Sequence, residues 1–173
     1  MNYKKLNRSL FSRAYFLLAA LPFLFLATAC PYSSSVPLAP AKDKIAPNLL
    51  GKWVEKSSFD NPKFYVITEN NPTTYQFEEN TYSSSSKTYE KKIYLAHLTP
   101  IGKVTFLNLR GDDGKYFFFK LEKAENGQSF ILYEVTDNID ETFNSSEELF
   151  GFFDKHKELS FFYNKDEATF NKE

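Results

Sequence analysis

Few side chains in this sequence are equipped for covalent or acid–base chemistry. It holds one thiol, Cys30, and two imidazoles, His97 and His156. A tetrahedral zinc site needs three or four nitrogen or sulfur ligands at suitable spacing, which this inventory does not supply. His97 could act as a base, but no Ser or Cys sits in a nucleophile elbow such as G-x-S-x-G, so a hydrogen-bonded structural histidine is the simpler reading. His156 stands between Lys155 and Lys157, where cations complement the end of a helix. Asp112-Asp113 could share acid and base roles, yet a glycine-flanked turn provides no burial to separate their pKa values. Arg110-Gly111-Asp112, an adhesion tripeptide in spelling, lies in the same turn. Asp137, Asp140 and Glu141 lack the spacing of a calcium loop, and no glycine-rich phosphate or dinucleotide motif occurs. The expectation is a non-enzymatic protein with no catalytic residues, no metal and no cofactor.

Cys30 is informative by position. A basic stretch, MNYKKLNRSLFSR, precedes an apolar run of about sixteen residues, AYFLLAALPFLFLATA, and the Cys follows directly. That run is short for a spanning helix, which needs about 20 residues, and Pro22 interrupts it. It ends in the small residues Ala27-Thr28-Ala29, as a cleavable secretory signal does; an uncleaved membrane anchor is the competing reading. The residues LATAC at 26–30 resemble the lipobox of bacterial lipoproteins, with Ala27 where Leu is commonest. The resemblance implies cleavage of residues 1–29, acylation of Cys30 and a membrane as partner through that lipid. Pro31 in place of Asp implies sorting to an outer membrane, with the periplasmic face favoured. Residues 30–47, PYSSSVPLAPAKDKIAP after the Cys, show no helix or strand period. Such proline-rich linkers are extended at about 3.1 Å per residue, so a tether reaching up to about 50 Å is expected.

The elements come from the rest, 48–173. Phe and Tyr contribute most of an 18% aromatic content, and aromatic and β-branched residues suit a pleated, half-buried surface. Strands are expected at 49–55, 63–68, 74–79, 88–98, 103–109, 115–123 and 129–135, separated by Asn-, Gly- and Pro-bearing turns. Short links between consecutive strands favour an antiparallel meander. Ser145 and Glu148 form a capping box ahead of Leu149, Phe150 and Phe153, which predicts a helix over 146–157. A closing strand is expected at 159–163 and a short last one near Thr169-Phe170. The fold class is mainly β: a curved sheet or barrel of seven to nine strands with one C-terminal helix packed on it.

Alternation assigns the faces. Phe117, Phe119 and Leu121 share one side of their strand, and Tyr116 and Phe118 share the other with Lys120. Ile131, Tyr133 and Val135 oppose Phe130 and Leu132. Both faces of these strands are therefore apolar, and the helix is the expected cover for one of them. Removing residues 1–29, which hold Lys4, Lys5, Arg8 and Arg13 and no acid, leaves 17 basic against 22 acidic residues, a net −5. Nucleic acid, which requires a basic patch, is excluded as a partner. With a single Cys, no disulfide framework can form within the chain.

Gly51-Lys52-Trp53 resembles the G-x-W that opens lipocalins and other calycin barrels, where the Trp closes the barrel base. The segments LAHLTPIGKVTFLNL and KYFFFKLEKAENGQSFILYEVTD extend the resemblance to bacterial lipoproteins of the lipocalin-like type. It implies a barrel and an envelope address and brings no catalytic residues with it. Two functions stay open. One is a binding module for a small apolar ligand, with Trp53, Phe117, Phe119, Leu121 and Tyr133 as candidate ligand-binding residues. The other is an interaction protein that docks an envelope partner through exposed Tyr75, Phe77, Tyr82 and Tyr89. The lipid reading predicts that Cys30→Ser moves the protein from the membrane to the soluble fraction, and that intact mass shows loss of 1–29 plus acyl mass.

Overall fold

In the computed structural model, residues 31–56, 62–136 and 138–173 are described, Asp166 by its backbone alone. Nine strands form in order: β1 (Ser33–Ser34), β2 (Gly51–Glu55), β3 (Lys63–Asn71), β4 (Thr74–Ser83), β5 (Thr88–Ile101), β6 (Val104–Arg110), β7 (Tyr116–Lys123), β8 (Ser129–Val135) and β9 (Tyr163–Lys172). The helix α1 (Ser146–His156) lies between β8 and β9. Strands β2 to β9 pair antiparallel with their neighbours in chain order, and β9 also pairs with β2. The sheet therefore closes on itself as an eight-stranded barrel, which leaves no long edge with unpaired backbone groups. The ninth strand, β1, is a patch: β8 joins β7 only from Phe119 onward, and Ser33 and Ser34 pair with the free stretch at Phe117 and Tyr116.

The seven expected strands are all present, several of them longer. The hairpin turns show why the meander is tight. Ile101 pairs with Val104, leaving Gly102-Lys103 as a two-residue loop, and Gly102 supplies the positive φ of 62° that this loop needs. The expected strand at 159–163 is corrected. Ser160–Phe162 form a 3-10 turn, and the closing strand begins at Tyr163 and runs through the expected short strand at Thr169-Phe170. In that turn Phe162 is buried under the helix while its neighbour Phe161 is exposed, so the aromatic run packs as a corner and has no pleat to follow.

Two cores lie on either side of the barrel wall. Inside are Trp53, Tyr65, Ile67, Tyr75, Phe77, Leu107, Leu121, Phe130, Leu132 and Phe170, all buried. Trp53 closes the base: its Nε1 donates to the Leu49 carbonyl at 2.8 Å, and its ring lies 4.7 Å from that of Phe130. Outside, α1 covers Ile101, Phe106 and Phe118 with Leu149 and Phe153. The Phe153 ring contacts both Phe106 and Phe118 at 5.2 Å. The helix starts as the sequence prescribes, with Ser145 Oγ accepting from the Glu148 amide at 3.2 Å. Glu147 and Glu148 occupy its first turn and Lys155 and His156 its last, matching the helix dipole.

The free tether over 30–47 is also corrected. Cys30, with 1–29, lies outside the described residues, but the chain from Pro31 onward belongs to the same compact unit as the barrel. After β1 it runs as a strap across the outer face of β6 and β5. Leu38 is buried, and its amide donates to Asn108 Oδ1 at 3.0 Å. The Ala39 carbonyl accepts from His97 Nε2 at 2.8 Å, and the Ile45 amide donates to the Pro72 carbonyl at 3.0 Å. Proline removes donors and blocks regular structure, yet Tyr32, Val36 and Leu38 are spaced to reach the outer core, and burial holds the segment where no ladder could. Truncating the residue at the centre of that core, Phe153→Ala, is expected to cost about 3–5 kcal/mol of unfolding free energy, measured by urea denaturation.

Candidate functional site

The barrel is packed at one end and hollow at the other. Leu49, Trp53, Phe130 and Phe170 fill the base. At the opposite mouth a cavity of about 350 Å3 opens, lined by Tyr65, Leu109, Phe117 and Phe119 as an apolar floor. Lys63, Glu79, Lys92, Tyr94, Glu134 and Pro31 form its rim. Strand alternation places these side chains inward: Tyr65 follows Lys63, Phe77 precedes Glu79, and Tyr94 follows Lys92 by two residues, each pair on one face. The charged residues stand where the strands reach the mouth, so the interior grades from aromatic to ionic along the barrel axis.

The rim is a fixed ionic arrangement on one side and open on the other. Lys63 Nζ lies 2.5 Å from Glu79 Oε1 and 5.2 Å from the centre of the Tyr65 ring. The Tyr94 hydroxyl donates to Glu79 Oε2 at 3.2 Å, and Asn164 Nδ2 donates to Glu134 Oε2 at 2.7 Å. Burial works against the charge of Lys63, but Tyr65 and Glu79 outweigh it and hold its pKa above the ordinary lysine value. Burial pushes Tyr65 up as well, and burial with the Glu79 charge pushes Tyr94 up to about 12. At neutral pH both hydroxyls stay protonated and Lys63 stays charged. Lys63 and the Tyr94 hydroxyl are both engaged by Glu79, and none of the three groups is poised to exchange protons.

The five candidate ligand residues divide. Phe117 and Phe119 line the cavity. Trp53 and Leu121 also point inward but sit in the packed half. Tyr133 faces outward, a correction: the β8 pleat turns it toward Lys120, whose Nζ lies 4.1 Å from its ring centre, and its hydroxyl donates to Glu122. The expected exposed patch is likewise corrected, because Tyr75 and Phe77 are each 1% exposed inside the barrel. Tyr82 and Tyr89 do lie outside, as an edge-to-face pair 5.4 Å apart. The rim residues Lys63, Glu79, Lys92 and Glu134 were missed by a search for apolar faces. Their signal was present as a charge at the inward parity of each strand's mouth end.

His156 and Asp113 serve the scaffold. His156 Nδ1 donates to the Phe152 carbonyl at 2.7 Å, and its ring packs against Phe152 and Phe162. Asp113 Oδ1 accepts the Lys115 amide and closes the β6–β7 turn. Asp137 lies outside the described residues, and Asp140 and Glu141 are exposed. Among the described residues, no group of three His, Cys, Asp or Glu side chains could hold a metal ion. Asn108, fully buried, joins three segments: besides accepting from Leu38, its Nδ2 donates to Thr99 Oγ1 at 3.0 Å and to the His97 carbonyl at 3.4 Å.

The architecture is that of a closed eight-stranded antiparallel β-barrel with an outer helix, a form compatible with a lipocalin-like fold. In comparisons with known proteins, no family model, curated protein or solved structure matches the chain.

His97 makes the strap sensitive to acid. Burial lowers its pKa from the ordinary histidine value, only partly offset by the bond to Ala39. Above about pH 6.5 folded and unfolded chains both carry it neutral, and its stabilising effect is complete. As pH falls below that value the unfolded chain takes up the proton first, so stability is lost down to the lowered folded pKa. Protection of the Leu38 amide, its hydrogen-exchange rate relative to the intrinsic rate at the same pH, is expected to fall as pH drops below about 6.5, and His97→Gln is expected to flatten that dependence.

Proposed function

We infer that the protein is a non-enzymatic binding module, anchored in a bacterial envelope by a lipid on Cys30, that holds a small, mainly apolar ligand in the barrel mouth. The observation that carries this reading is the cavity of about 350 Å3 above a floor of Tyr65, Leu109, Phe117 and Phe119. Ligand sites are concave, largely apolar and marked by a few placed polar groups, and they start at about 300 Å3. The packed base limits the ligand to the mouth half, which makes it small. The rim selects its polar end: Lys63 is already matched to Glu79, whereas the Lys92 ammonium makes no ion pair or hydrogen bond with the described residues. A ligand with an apolar body and a single anionic or hydrogen-bond-accepting end fits both parts.

The lipocalin-like assignment and the outer-membrane address rest on the Gly51-Lys52-Trp53 and LATAC resemblances, and the closed barrel is consistent with the first. Trp53 stands at the base, as that resemblance implies. Docking of an envelope protein is the second reading. Its support is a set of exposed apolar side chains on β5, where Tyr89, Ile93 and Leu95 alternate along the outer face.

Titration with the apolar anionic dye ANS tests the first reading. The wild-type protein is expected to bind one dye molecule saturably. Leu109→Trp, which fills the cavity from its floor, is expected to weaken binding at least tenfold, and Lys92→Glu at least threefold, both with little change in melting temperature. Dye binding unaffected by both substitutions would sink the proposal.

A further inference from the structure

We propose that the strap holds the barrel mouth-down, so that the cup opens onto the membrane surface that carries the N-terminal lipid. The inference rests on Cys30 being the lipidated residue and adds an orientation that lipidation alone does not specify. A lipid on a free tether of seventeen residues would leave the domain able to tumble. Here no such length is available. Pro31 already lines the cup rim, and β1 fastens Ser33 and Ser34 to β7 beside it. The described chain therefore meets the barrel at the rim, with no free tether between Pro31 and the sheet.

The distribution of exposed apolar side chains points to the same end. Tyr89, Ile93, Leu95, Leu159 and Phe161 are the large hydrophobic residues most exposed among those described. Ile93 flanks the rim residues Lys92 and Tyr94 on the outer face of β5. Tyr89 lies on the β4–β5 hairpin, which continues for four residue pairs past Glu79 and Lys92 and so overhangs the cup by about 13 Å. Phe161, 71% exposed, lies in the 3-10 turn that leads into β9, also at the mouth end and on the opposite side of the closed sheet from β5. The base turns at 70–73, 102–103 and 125–128 offer Asn, Thr, Gly, Lys, Glu and Gln, with one proline and no large hydrophobic residue. Tyr89, Ile93, Leu95 and Phe161 thus gather at the mouth end, a clustering of exposed apolar residues that marks an interaction surface, and lipid anchoring is firm when a second membrane contact accompanies the acyl chains. The occupant assigned to this end is the lipid interface, because the chain leaves the barrel there. A cup so placed draws its ligand from the bilayer surface, and this makes a single-chain amphiphile the ligand class.

The test uses the full chain, processed and lipidated in the producing cell, in phosphatidylcholine vesicles that contain spin-labelled lipid. Ser85→Cys at the hairpin tip or Glu125→Cys at a base turn carries a fluorescent label. Quenching by the lipid is expected to be at least threefold stronger at position 85 than at position 125. Equal quenching, or the reverse order, in protein that floats with the vesicles overturns the orientation and leaves the anchor standing. Protein that labels at Cys30 and does not float overturns the anchor itself, and the orientation with it. Ile93→Ser combined with Phe161→Ser is expected to halve the quenching at 85 without reducing flotation; unchanged quenching would remove the apolar ring from the proposal.

Discussion

The structure depends on a sheet that is apolar on both faces. In β6 and β7 the inward residues Leu107, Phe117 and Phe119 alternate with Phe106 and Phe118 pointing out. Closing the barrel buries only the inner set, and rings left in water on the outer set would each forfeit about 1.5–3 kcal/mol of burial. Two separate segments supply the second cover. The helix brings Leu149 and Phe153, and the strap brings Tyr32 and Leu38. The position of both segments follows from this one requirement.

The strap shows how a polar atom gives direction to apolar cover. Leu38 could be buried in more than one register along the outer face, but Asn108 accepts its amide hydrogen, and Asn108 is itself oriented by Thr99 and the His97 carbonyl. A buried amide that lost these partners would carry its full desolvation penalty, so the register is specified as well as stabilised. The Ala39 and Ile45 contacts repeat the logic further along. As a result, Pro31 is held at the cup rim, at the same end of the barrel as the cavity.

The cup exists because the interior changes character along its axis. Near the base, Trp53, Phe130 and Phe170 stand on the adjacent strands β2, β8 and β9 and pack ring against ring. Toward the mouth the inward positions become Lys63, Glu79, Lys92 and Glu134, whose charged ends seek water and one another. Charged groups resist the desolvation that a packed centre would impose, so the mouth stays open above the last ring of aromatic side chains.

Much of this was written in local pattern. Strand positions, the two-faced character of β7 and β8, the helix cap at Ser145 and the need for a cover over Phe118 follow from periodicity and turn chemistry, which act over a few residues. The candidate site was only half legible. Phe117 and Phe119 share an inward parity that sequence displays, but parity is blind to height along the barrel, so it could not separate them from Leu121 in the packed half. It also left the inner and outer faces of β8 interchangeable, and Tyr133 was assigned to the wrong one. Closure by β9, the strap's path and the meeting of Pro31 with the mouth were decided by tertiary structure alone. Each joins residues far apart in the chain, and a proline-rich stretch with no period of its own takes its conformation from the surface it covers.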